Sequence, residues 1–221
     1  MTIKVRRYIA PCHQRWAGVT LISLLVGMAI SMMVILAALG LFQRMVKTTV
    51  DARKDAQFNA QRNASFVSAG LVVQSAGFGI ADAVWGTHGM VLKDLVWDTQ
   101  KQKLTGQNSA DGQGNAVVWS DNVAGAVQCR LLWAPAVGGG LRMLGPVACT
   151  DATSWASLPW GTPYSLDRVP QGTITLVQGA ATCAPFGIGV AAAQVRLTFN
   201  ASSSNGQSLS TSMCLANMRA S

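Results

Sequence analysis

The sequence predicts an α+β protein: one long N-terminal helix followed by a C-terminal domain built on antiparallel β-sheet. Three observations carry this. The 25 residues from Val19 to Gln43, "VTLISLLVGMAISMMVILAALGLFQ", hold no formal charge, and no proline interrupts Trp16 to Phe78. Beyond residue 114, short stretches rich in Val, Leu, Thr and aromatics alternate with Gly, Asn, Asp and Pro. Half of the 221 residues are hydrophobic and only 12% are charged, which excludes a chain disordered over most of its length.

Residues 1–18 form a basic leader. Lys4, Arg6, Arg7 and Arg15 lie there, so four of the 17 basic residues, half of the net +8, belong to the leader and leave 13 against nine acids. The uneven distribution weakens a nucleic-acid interpretation of the charge. All nine acids are Asp and the chain contains no Glu.

The apolar stretch of residues 19–43 exceeds the roughly 20 residues that cross a bilayer as a helix. It is longer than the apolar core of a secretory signal and no A-x-A cleavage signature closes it. The basic residues ahead of it predict a cytoplasmic N-terminus and an exported C-terminal part, although Arg44, Lys47, Arg53 and Lys54 dilute the contrast. Residues 44–78 continue the helix as an amphipathic half. Met45, Ala52, Ala56, Ala60, Ala64, Val67 and Leu71 recur at spacings of three, four or seven as its apolar stripe, with Lys47, Arg53, Lys54, Gln57, Gln61 and Arg62 on other faces. A helix of roughly 55–60 residues results, lying in its second half under a globular head and stopping at Gly77 and Gly79.

Residues 79–221 are the head. Strands are expected at 115–121, 126–135, 140–149, 172–179, 193–200 and 208–216, with hairpins at Gly138 to Gly140 and at Asn205-Gly206. Cys129, Cys149, Cys183 and Cys214 all fall in this region, without C-x-x-C spacing or a neighbouring His, and so point to disulfides in an oxidising compartment instead of a zinc site. Cys129 with Cys149 and Cys183 with Cys214 is the favoured pairing among the three that four cysteines allow. Cys12, in the leader, is expected to stay a thiol.

The polar edge of the apolar run is the specific feature. A short basic leader ends in Gly18, and "VTLISLLVGMAI" follows with no polar spacer. This resembles the class III signal of type IV prepilins and pseudopilins, in which a basic leader ending in Gly precedes an F-T-L-[IV]-E-L-L-type segment. The resemblance implies that an inner-membrane prepilin peptidase cuts between Gly18 and Val19 and that Val19 is then N-methylated. It also implies an α+β pilin-like fold. Two positions depart from the family pattern: Val19 stands where Phe is usual, and Ser23 stands where Glu is usual. In the family that Glu pairs with the amino terminus of a neighbouring subunit. Its absence implies a subunit that need not dock beneath another, such as one at a filament tip, or else a degenerate signal.

The stretch "DARKDAQFNAQRNASFVSAGLVVQSAGFG" is also similar to the amphipathic helix of PilW-type minor pilins. Asp51, Ala52, Arg53, Asn63 and Phe66 fall in comparable places and Ala76, Gly77 and Phe78 close the segment. Both resemblances together cover about residues 1–80. They imply a minor pilin that primes pilus assembly, in or at the tip of the filament. Its partners would be the prepilin peptidase, other minor and major pilins through helix packing, the inner-membrane assembly platform and, before assembly, inner-membrane lipid. The alternatives are a minor pseudopilin of a type II secretion system and an uncleaved, signal-anchored periplasmic binding domain or enzyme.

The chemistry of sites adds little. No G-x-S-x-G, S-x-x-K, H-E-x-x-H, P-loop or dinucleotide fingerprint occurs, so neither catalysis nor a cofactor is expected. His88 is expected as a solvated loop residue. "DGQGN" at 111–115 is more simply a turn than a calcium loop, and no metal site is assigned. Trp85, Trp97, Trp119, Trp133, Trp155 and Trp160 are ascribed to core or subunit interfaces, with a sugar-binding platform as the sharper alternative. Lys93, Lys101 and Lys103 are expected in a solvated loop, too few to be diagnostic of nucleic acid.

Overall fold

The computed structural model describes residues 20–123, 125–167, 172–183, 192–202 and 208–220. Among these residues one α-helix, α1, runs over Leu21–Val73. Ten strands follow: β1 Gly89–Asp98, β2 Lys103–Asn108, β3 Gln113–Gly114, β4 Ala116–Asp121, β5 Gln128–Trp133, β6 Leu141–Ala148, β7 Tyr164–Asp167, β8 Ile174–Cys183, β9 Ala192–Ser202 and β10 Ser208–Arg219. A 3-10 helix, η1, covers Ala152–Ser157. An α+β chain with an apolar N-terminal helix and antiparallel sheet is therefore what the sequence folds into. The chain divides into two compact units inside α1, between Ala52 and Arg53.

In the first unit, every described residue from Thr20 to Ala52 is exposed. Leucine, isoleucine and methionine all around the helix leave no polar face between Leu21 and Gln43, which is the pattern of a segment made for an apolar surrounding.

In the second unit the strands form two sheets where one was expected. The six-stranded sheet has the order β2-β1-β4-β5-β6-β7 and the four-stranded sheet the order β10-β9-β8-β3, every pairing being antiparallel. The short strand β3 crosses between them. Gly114 permits this, because a Cβ there would lie 2.0 Å from the Leu92 carbonyl oxygen on β1. The helix stretch from Arg53 supplies Phe66, Ala69 and Val73 to a first core shared with Val117, Trp119, Leu132 and Met143 of the larger sheet and Leu176, Val195, Leu197 and Phe199 of the smaller. Phe66 stacks on Phe199 with ring centroids 5.5 Å apart. The opposite face of the six-stranded sheet buries a second core of Leu92, Leu95, Leu104, Val118, Leu131 and Leu144, covered by η1 and the segment after it through Trp155 and Trp160.

All six expected strands are present, at slightly different bounds, and Gly138, Gly139 and Gly140 turn the β5–β6 hairpin with φ of 83°, 59° and 81°. The Asn205-Gly206 hairpin lies outside the described residues. Four strands were not anticipated. β1 is the instructive one: Asp94 takes φ of 53° and the register with β2 shifts between Lys93 and Val96, so two consecutive charged residues face solvent and the alternation breaks. Asn115 holds the bulge, accepting from the Leu95 N–H at 2.8 Å and donating to the Leu95 and Ala134 carbonyls at 2.9 and 3.2 Å.

Candidate assembly helix and its head

Thr20 precedes the helix and caps it. Its hydroxyl oxygen accepts from the Ser23 N–H at 3.4 Å and its carbonyl accepts from the Leu24 N–H at 3.2 Å, a first turn capped as Thr allows. Ser23 turns inward on its own helix, its hydroxyl donating to the Thr20 carbonyl at 2.9 Å. Ser31, Thr48 and Thr49 likewise donate to carbonyls three or four residues back, at 2.8–2.9 Å. A hydroxyl satisfied in this way can enter an apolar medium without a partner, which a carboxylate at position 23 could not do. Gly18 and Val19 lie outside the described residues. Among the described residues, α1 is the one helix long and apolar enough to cross a membrane.

The second half of the helix corrects the expected face. The buried residues are Arg62, Ser65, Phe66, Ala69, Gly70 and Val73, whereas Ala60 and Ala64 are exposed and Val67 and Leu71 keep 60% and 67% of their surface. The two stripes differ by two positions, about 200° around the helix, so they lie on opposite faces. Phe66 explains the choice, since it fills the gap between the sheets, and Gly70 lets β10 approach, with the Met213 methyl 2.9 Å from where a Cβ would stand. Arg62, expected on a polar face, is instead 1% exposed and pairs with Asp167 of β7 at 3.0 Å, its guanidinium 5.2 Å above the Phe58 ring. Burial pulls its pKa below the ordinary arginine value and Asp167 pushes it partly back. The helix thus carries two apolar faces, one inside the head and one bare.

A polar network joins the end of the helix to the large sheet. Trp119 donates to the Ser75 hydroxyl at 3.1 Å, Ser75 donates to Asp121 at 3.0 Å, and Arg130 meets the same Asp121 oxygen at 2.8 Å. Gly77 then leaves the helix with φ of 76°, donating to the Ser120 carbonyl at 2.9 Å, and Gly79 follows at φ of 69°. These are the expected stop residues.

Cys129 on β5 and Cys149 just past β6 form a disulfide. Cys214 is disulfide-bonded too, while the side chain of Cys183, and with it the expected Cys183–Cys214 pairing, lies outside the described residues. The six tryptophans of the head are all buried, at 9% exposure or less, and four of them donate their indole N–H to partners inside the fold. A tryptophan platform for sugars is therefore ruled out by burial. His88 lies in a turn, as expected, but is half-buried and structural instead of solvated: its Nδ1 accepts from the Val84 N–H at 3.2 Å and its carbonyl from the Ser120 N–H at 2.8 Å.

The three lysines sit on one β-hairpin, each beside a carboxylate: Lys93 and Lys103 are exposed on its strands instead of in a loop, and Lys101 is in its exposed turn, as expected. Lys93 is on β1 and helps hold the Asp111 carboxyl below its usual range, after the Ser109 hydroxyl and the Gln113 N–H. Lys101 lies 3.9 Å from Asp98, whose carboxyl is lowered chiefly by the Lys101 backbone N–H. Lys103 is the cross-strand partner of Asp98. "DGQGN" is a turn leading into β3, Asp111 accepting from Ser109 and from the Gln113 N–H at 2.7 and 3.1 Å. Among the described residues no group of three His, Cys, Asp or Glu side chains is placed to hold a metal ion.

No family model, curated protein or solved structure matches this chain.

Proposed function

We propose that the chain is a PilW-type minor type IV pilin that primes pilus assembly, in or at the tip of the filament, after cleavage between Gly18 and Val19. The observation that carries the reading is the helix: a single uninterrupted α1 runs from a charge-free, membrane-length stretch into the core of a β-sheet head, and keeps a bare apolar stripe at Ala60, Ala64, Val67 and Leu71. A subunit stored in a bilayer and then packed by its helix against other helices needs both features. The work it does is assembly by helix packing, without catalysis or cofactor. Its partners are the prepilin peptidase, the assembly platform of the inner membrane and the helices of other pilins. The Ser23 hydroxyl, closed on its own backbone, suits a subunit with no neighbour above it to neutralise.

That same feature fits a tip subunit of a type II secretion pseudopilus, which is the second reading. The N-terminal mass of the protein from membranes, with and without active prepilin peptidase, tests both. A mature chain starting at methylated Val19 is the expected result. An intact leader in the presence of the peptidase overturns both filament readings in favour of a signal-anchored exported domain.

A further inference from the structure

Just past its apolar stretch, the helix divides into two unlike sides. With about 100° of rotation per residue, Lys47, Asp51, Arg44 and Thr48 fall within an arc of about 100°, and Met45, Thr49, Val46 and Val50 fall on the opposite side. All of them are exposed. The Thr49 hydroxyl donates to the Met45 carbonyl at 2.8 Å, so the second side can meet an apolar surrounding without an unsatisfied group. Among the described residues, neither Arg44 nor Lys47 takes part in an ion pair.

Distance along the helix decides what these two cations meet. From Leu21 to Phe42 the helix rises roughly 33 Å, enough for a hydrocarbon core of about 30 Å. The headgroup layer beyond that core is about 5–8 Å deep on each side, or about three to five residues of helix. With α1 across a bilayer, Arg44 and Lys47 lie in that layer and Asp51 lies past it, in water. No carboxylate opposes the basic pair at its own depth.

We propose that residues 44–51 bind a phospholipid surface: Arg44 and Lys47 hold the phosphates of anionic headgroups, while Met45, Val46 and Val50 lie against acyl chains on the other side of the same turns. This rests on the reading of α1 as a membrane span and goes beyond it. The Arg44 guanidinium can take a phosphate through two parallel N–H bonds, and Lys47 adds a point charge about one turn further out. Charge complementarity selects an anionic lipid, because a zwitterionic headgroup brings an ammonium group of its own. The apolar side runs on to Val50, about 12 Å beyond Phe42, whereas the polar side leaves the hydrocarbon at Gln43. The helix therefore leans with its Met45, Val46 and Val50 side towards the membrane.

The test uses the full chain in phosphatidylcholine vesicles that contain phosphatidylglycerol with a photoreactive headgroup. Labelling is expected on Arg44, Lys47 and Thr48 and not on Met45, Val46 or Val50. Arg44→Gln or Lys47→Gln should lower it roughly fivefold, and the two together about thirtyfold. Arg44→Lys keeps the charge and should retain most of it. Glutamine is a good helix former and both sites are exposed, so these variants leave the fold intact. Alkaline extraction of the same vesicles separates the proposal from the reading beneath it. A chain that resists extraction, yet is labelled as strongly on Val46 or loses no labelling in the double variant, overturns the proposal and leaves the membrane span standing. A chain released by alkali overturns the span, and the lipid contact with it.

Discussion

The two stretches of α1 on either side of Arg53 are the same secondary structure held for different reasons. From Thr20 to Ala52 every residue is exposed and the surface is apolar nearly all round until Gln43. From Arg53 to Val73 one face is buried by two sheets and another is bare. Backbone hydrogen bonds alone make a helix marginal in water, so the second stretch depends on Phe66, Ala69 and Val73 in the head core. Among the described residues the first has no such support, and its composition suits an apolar environment. One helix therefore joins an exposed apolar stretch to a part stabilised by tertiary packing.

Replacing Phe66 attacks that difference hardest. Phe66→Ala should cost the head about 3–5 kcal/mol, seen as a lowered denaturation midpoint of the head, because a fully buried ring on Phe199 leaves a cavity. Leu36→Ala, in the exposed stretch, should leave the same midpoint unchanged. Equal effects would show that the two stretches are not supported separately.

Asp167→Ala should come next, at about 3 kcal/mol by the same measurement, because it removes a carboxylate partner of the buried Arg62 guanidinium. The paired change Arg62→Met with Asp167→Leu should restore most of the loss. A single variant as stable as the unaltered chain would mean that the ion pair does not secure the helix to β7.

The smallest effect on folding should come from the bare face. Leu71→Glu is expected to move head stability by no more than about 0.5 kcal/mol, the range of exposed substitutions. On the proposed function it should nevertheless abolish co-purification with other pilins, whereas a loss of stability matching that of Phe66→Ala would place Leu71 in the core.

Much of the fold was legible in local sequence. The charge-free run, the glycine stop after Val73 and six of the ten strands follow from period, propensity and turn chemistry, which act over a few residues. β1 was missed because its bulge at Asp94 puts Lys93 and Asp94 on solvent together, and the clamp that makes the bulge tolerable, Asn115, is 20 residues away. The buried face of the helix was missed for a related reason. Ala60, Ala64, Val67 and Leu71 are as well spaced as Phe66, Ala69 and Val73, and only the sheets choose between two apolar faces.

By itself, then, the sequence determined that the chain carries a membrane-length apolar helix followed by a β-rich domain. Only the tertiary structure decided which face of the helix is buried, that Arg62 is an interior cation held by a residue 105 positions later, that the tryptophans are core and that the strands divide into two sheets. Periodicity and composition report a residue's preference for water or oil, whereas partnership across the fold depends on shapes and charges brought together from distant segments, which no local pattern encodes.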